Sequence, residues 1–205
     1  TLYLYLKAHT GRIPEVYQSW KIDKEKYREM CIDSEKTKVA CIYDEDKFRA
    51  LDQVLEKTGF YEILERKWRG SGKKKKDFRI VVKANFMMTY NKIDESTYTD
   101  PELVEHLLNK LHKRGYTKLA LVESRNTYGL YFEKREVEVM ANYLGYQAKN
   151  YRICDLTQEI EEFDYGGPLG RHFVGRTWRD ADFRISFAKN KTHSFCYYTL
   201  TLKNI

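Results

Sequence analysis

Cysteine is sparse and scattered: Cys31, Cys41, Cys154 and Cys196 make no C-x-x-C spacing. The usual sequence signatures of a zinc ribbon and of an iron–sulfur cluster are therefore missing. Isolated thiols in a chain of 205 residues, long enough to fold without cross-links, lead us to expect a reducing, cytoplasmic setting. Long apolar runs are also absent. Ile80-Val81-Val82 and Leu119-Ala120-Leu121-Val122 fall far short of a bilayer span, so no membrane partner is expected. The chain has no G-x-G-x-x-G, no P-loop, no G-x-S-x-G and no H-E-x-x-H. Dinucleotide-loop, phosphate-loop, serine-hydrolase and zinc-protease chemistry thus lose their sequence support. His172, His193, Glu123 and Asp155 are ligand types for a divalent metal, but they lack ligand spacing, and no metal site is expected. No internal repeat or linker is visible.

What is present is a globular composition. The hydrophobic fraction is 42% and the aromatic fraction 15%, which excludes a disordered chain. Lys plus Arg number 37 against 30 Asp plus Glu, a net charge of +7 that favours anionic partners such as phosphates, carboxylates or nucleic acid. Both signs are spread along the chain. The compact basic block Lys73-Lys74-Lys75-Lys76 follows Gly70-Ser71-Gly72 and reads as an exposed, flexible loop.

Residues 1–38 form an extension with little readable pattern beyond an alternation of Leu2, Leu4 and Leu6 with Tyr3 and Tyr5. From Val39 short apolar runs alternate with helical periods. Val39–Tyr43 reads as a strand ending at Asp44. A helix follows on Phe48, Leu51, Val54 and Leu55, stopped by Gly59. Phe78–Val82 is the next strand. Asp100 and Pro101 then have the right identities for the cap and first position of a helix whose Leu103, Val104, Leu107, Leu108 and Leu111 share a face. Lys118–Val122 is a strand, and Val137, Met140, Ala141 and Leu144 mark a helix ended at Gly145. Residues 147–153 suit an edge strand, 155–180 read as loop, and Phe183–Ala188 is the last clear strand. This order predicts a single α/β domain over 1–205: a mainly parallel sheet with helices on both faces, Rossmann-like in layering.

Ligands bind such sheets outside the carboxyl ends of the strands. Reading those ends gives Asp44, then Lys83-Ala84-Asn85, then Glu123-Ser124, then Asp155, then Lys189, Lys191, Thr192 and His193. Lys83 and Asn85 flank Ala84, so both can point to one side of an extended chain. Glu123 beside lysines and an imidazole would make a pairing able to move protons. We therefore expect Glu123 and His193 as proton-transfer residues, with Lys83, Asn85, Lys189, Lys191 and Thr192 holding the ligand. Weaker candidates are Thr97, Tyr98 and Thr99 before the Asp100 helix, and His172 between Arg171 and Arg176. His106 and His112 lie within a helix and read as surface or half-buried.

These elements resemble the family catalogued as domain of unknown function 362. Its members carry Lys-Pro-Asn after a strand, a Thr-Asp-Pro-Glu helix start, and a late Ala-Asp…Lys-x-Lys-Thr-His…Leu-Lys-Asn segment. Here the matching residues are Lys83-Ala84-Asn85, Thr99-Asp100-Pro101-Glu102, Ala181-Asp182, Lys189-Asn190-Lys191-Thr192-His193 and Leu202-Lys203-Asn204, within residues 78–205. Ala84 stands where the family has proline. The iron–sulfur segment of some members has no counterpart in these residues, so no cluster is expected in this chain. The resemblance implies a fold and a site but supplies no reaction. The leading expectation is an enzyme or ligand-binding domain for a small anionic molecule. Alternatives are a nucleic-acid or polyanion binding module, and an interaction protein in a redox or maturation assembly.

Overall fold

The computed structural model describes residues 38–126, 129, 131–166, 170–193, 197–199 and 204, with only the backbone at 192, 193 and 197–199. The expected strand at Val39–Tyr43 does not form. These residues have no regular secondary structure and no sheet partner among the described residues, and Val39 and Tyr43 are 89% and 92% exposed. An apolar run needs a neighbouring strand to satisfy its backbone, and none is paired with this one. Asp44 accordingly lies at no strand end. It accepts from Arg49 Nε at 2.6 Å and Gln53 Nε2 at 3.1 Å. The Arg49 hydrogen bond first, then the Asp46 N–H, holds its carboxyl down at about 2.

Asp46 caps helix α1 (Lys47–Lys57), its carboxylate accepting from Phe48 N and Arg49 N. Gly59, at φ 69°, does not simply end the helical region but turns the chain into a second helix, α2 (Phe60–Gly70). Two lysines of the basic block pair within the fold, while Lys74 and Lys76 are exposed. Lys73 Nζ reaches Asp182 at 2.7 Å. Lys75 Nζ reaches Glu65 at 2.6 Å and lies over the rings of Trp68 and Tyr116.

Strands β1 (Arg79–Ala84), β2 (Lys118–Glu123) and β3 (Arg152–Asp155) are linked by helices α3 (Pro101–Lys113) and α4 (Val137–Leu144). Asp100 accepts from Glu102 N and Leu103 N, with Pro101 at the first position, as the sequence requires. A 3-10 turn (Leu156–Glu159) leads to an antiparallel hairpin of β4 (Ile160–Asp164) and β5 (Arg171–Gly175). The one-turn helix α5 (Arg176–Arg179) and β6 (Phe183–Phe187) follow. The hairpin and turn correct the expectation of a loop over 155–180. The edge strand occupies 152–155 and not 147–153, because the chain from Tyr146 to Tyr151 is irregular. β7 (Lys191–His193) and β8 (Tyr197–Thr199) form a separate two-stranded ribbon.

The sheet has the order β3-β2-β1-β6, all parallel, so the architecture is α/β. Its two faces are covered unequally. Ile80, Val82, Ala84, Leu119 and Leu121 meet the large core built by α1–α4. Val81, Ala120 and Val122 meet a small cluster of Cys154, Leu156, Ala181 and the half-buried Trp178 of α5. On α3, Val104, Leu107, Leu108 and Leu111 are buried while Leu103 sits at the margin, one position off the stripe read from the sequence. No helix among the described residues is long and apolar enough to cross a membrane.

Candidate functional site at the carboxyl edge

β1 and β2 run in register, with Lys83 opposite Val122. Their carboxyl ends therefore emerge side by side. Lys83 Nζ lies 2.8 Å from Glu123 Oε2, with side chains only 14% and 9% exposed. Glu123 also accepts from Ser124 N at 2.8 Å and, more weakly, from Phe86 N at 3.4 Å. The carboxylate is thus held by an ammonium and two backbone donors, which compensates its burial.

Asn85 is buried beside this pair. Its N–H donates to Thr99 Oγ1 at 2.9 Å, and its carbonyl accepts from Thr99 N at 2.7 Å. Thr99 Oγ1 donates in turn to the Phe187 carbonyl at 3.2 Å, stitching the end of β1 to the end of β6. Asn85 Oδ1 accepts from Lys189 N at 2.9 Å. Its Nδ2 donates to Asn204 Oδ1, which also accepts from Lys83 Nζ at 3.2 Å. Asn204 Nδ2 closes the network on the Lys83 carbonyl at 2.9 Å and Ser186 Oγ at 3.0 Å. One amide thereby reads β1, β6 and Lys83 together.

Lys83, Asn85, Glu123 and the backbone of Lys189 are thus brought together. Lys191, Thr192 and His193 lie on β7, which leaves the sheet just beyond β6. The side chains of Thr192 and His193 lie outside the described residues, so the expected pairing of His193 with Glu123 has no geometry to report. Of the remaining residues in the network, Thr99 is one of the weaker sequence candidates, and Asn204 is not among them. Asn204 had appeared only as the last residue of the Leu-Lys-Asn motif, which was the available signal. Asp155, at the end of β3, is fully buried and accepts from Arg125 Nε at 3.1 Å and Thr157 N at 2.9 Å. Among the described residues no three His, Cys, Asp or Glu converge as metal ligands.

Beside the network opens a cavity of about 470 Å³. Lys83 and Ser124 form its floor, and Trp178 with His172, Phe173 and Tyr165 of the hairpin region forms its wall. His172, on β5, lines this cavity.

The family described as Domain of unknown function (DUF362) matches residues 80–205, more than half of the chain. The chain belongs to this family. No curated protein and no solved structure matches it. The DUF362 match begins at Ile80 in β1 and takes in every residue of the network, from Lys83 to Asn204. Helices α1 and α2 precede the DUF362 region and complete the core beneath it.

Proposed function

We propose that this DUF362 domain binds a small anionic molecule at the carboxyl edge of its sheet, as an enzyme or a ligand-binding domain. The observation that carries this reading is Lys83. Its ammonium has three N–H donors, and among the described residues Glu123 and Asn204 take two of them, leaving one for a ligand in the cavity that Lys83 lines. A ligand carboxylate or phosphate oxygen accepting that hydrogen bond would add a charge-assisted contact to a largely buried ammonium. The wall of Trp178, Phe173 and Tyr165 suits an apolar or aromatic body behind the anionic group. In this reading Asn85 fixes the floor, Glu123 and His193 are the candidates for proton transfer, and Lys191 and Thr192 of β7 are the candidates to border the ligand, whereas Lys189 lines a separate cavity beside Lys47 and Asp100.

The test is a titration with aromatic carboxylates and phosphates, followed through backbone amide shifts. Perturbations should cluster at Ser124, His172 and Gly175 and disappear in Lys83→Gln. Perturbations that persist in Lys83→Gln, or that lie elsewhere, would overturn the reading. Two lysines of the compact block, Lys73 and Lys75, are engaged within the fold, which supports the small-ligand reading over a polyanion-binding one.

A further inference from the structure

At the opposite edge of the same sheet three adjacent strands open on cations. β1 begins with Arg79, β2 with Lys118 and β3 with Arg152. Lys118 stands opposite Arg79, and Arg152 opposite Ala120. Strand alternation places all three on the face of Val81 and Ala120, away from the long helices. Arg176 of α5 joins them around a cavity of about 580 Å³. Trp178 lies on the side of α5 toward the carboxyl-edge cavity, so the two cavities are separate.

The charges here are loosely compensated. Arg79 lies 3.7 Å from Asp182, Lys118 lies 3.5 Å from Asp77, and Arg176 lies 3.3 Å from Glu161. Two of those carboxylates have shorter partners elsewhere: Lys73 at 2.7 Å for Asp182, and Arg179 at 2.7 Å for Glu161. Arg152 donates to Thr177 Oγ1 at 2.7 Å. The wall itself carries four cations, Arg79, Lys118, Arg152 and Arg176, and two carboxylates, Glu159 and Asp180. With Asp182, Asp77 and Glu161 paired just outside it, and Lys73 and Arg179 on two of those, six cations stand against five carboxylates. Asp180 is engaged by Arg179 at 2.7 Å, and Glu159 accepts from Thr177 N at 2.6 Å.

Four cations around one groove suit a phosphomonoester, which carries about −1.5 to −2 at neutral pH and offers three acceptor oxygens. The two acidic groups would repel a continuous polyanion, yet they can accept hydrogen bonds from hydroxyl groups. Thr117, Asn150 and Thr177 make the rest of the wall polar. We propose that the amino-edge groove binds a small phosphorylated polyol, with Arg79, Lys118, Arg152 and Arg176 on the phosphate and the carboxylates toward the hydroxyls.

The probe is glucose 6-phosphate, titrated into the full 205-residue chain by calorimetry and amide shifts, with glucose and an oligothymidylate as comparisons. Glucose 6-phosphate should perturb residues 118–120, 150–152 and 176–177, and glucose should not. Lys118→Gln/Arg152→Gln should weaken its affinity at least about tenfold, the loss of roughly one charge-assisted contact. Lys83→Gln should leave that affinity unchanged, so failure here is separable from failure at the carboxyl edge. Thermal melts report whether the double variant folds. If it does not, Arg176→Gln on the one-turn helix must show the loss. The absence of saturable binding, an undiminished affinity in these variants, or tighter binding of the oligothymidylate at the same amides would overturn the proposal.

Discussion

Lys83, Glu123 and Asn204 form a buried polar unit in which each group meets the bonding needs of the others. Such a unit is strong when complete and costly when broken. Asn204→Ala removes the acceptor shared by Lys83 and Asn85 and the donor to the Lys83 carbonyl. It should destabilise the fold by about 1–3 kcal/mol in a urea melt, the cost of buried groups left unpaired. A loss below about 0.5 kcal/mol would mean that water replaces the amide. Asp182 offers a test through pH. Burial alone would raise its carboxyl, but the Arg79 N–H and then the Lys73 ammonium outweigh it, holding it below the ordinary 3.8. A depressed carboxyl contributes stability in full above its unfolded value and loses it as pH falls through the folded value. The stability gap between wild type and Asp182→Asn should therefore be constant from neutral pH to about 5 and narrow below about 4. A gap unchanged in acid would contradict the pairing. Lys83, Asn85 and Glu123 were legible in the sequence because each lies within three residues of the end of an apolar run. Asn204 was not, because its partner Lys83 stands 121 positions earlier and nothing local signals that contact.

Elements were legible where burial is two-sided. β1 and β2 read as apolar runs because both faces are covered, and α3 read as a stripe because one face is. Leu107→Ala on that stripe should cost about 2–5 kcal/mol in a denaturant melt, as for other large-to-small core changes. A cost under about 1 kcal/mol would place this face in solvent. The hairpin escaped notice because its strands are largely exposed, so Glu161, Glu162 and Asp164 interrupt any apolar pattern. Helix α2 escaped because Gly59 resembled a terminator, although Phe60, Leu64 and Trp68 recur at helical spacing and pack inward. Gly175, which joins the hairpin to α5, has an ordinary φ of −69°, so backbone freedom does not explain it. A Cβ there would lie 2.7 Å from Leu156 Cβ and Cδ2. Gly175→Ala should therefore destabilise by about 1–3 kcal/mol through overpacking. Gly175→Ala/Leu156→Ala should recover part of that loss, and if it recovers none, close approach is not the reason for glycine.

Across the whole molecule, stability is divided as unequally as burial. The face served by α1–α4 carries a continuous core from Leu55 to Tyr151, whereas the other rests on six buried residues and Trp178. Both proposed binding cavities lie on that thinner face, one at each edge. Their shared cover is α5, the 156–159 turn and the hairpin, elements with few buried side chains. Segments of this kind open at free energies below global unfolding. In native-state hydrogen exchange, the amides of β4 and β5 should thus exchange well before those of β1 and β2, with a smaller denaturant dependence. A ligand held between Lys83 and the hairpin wall would oppose that opening, so hairpin exchange should slow on binding while β1 and β2 change little. If β4 and β5 instead exchange at the rate of β1 and β2, the hairpin opens only with global unfolding. The carboxyl-edge cavity would then have a fixed wall, and ligand entry would have to come through its existing mouth.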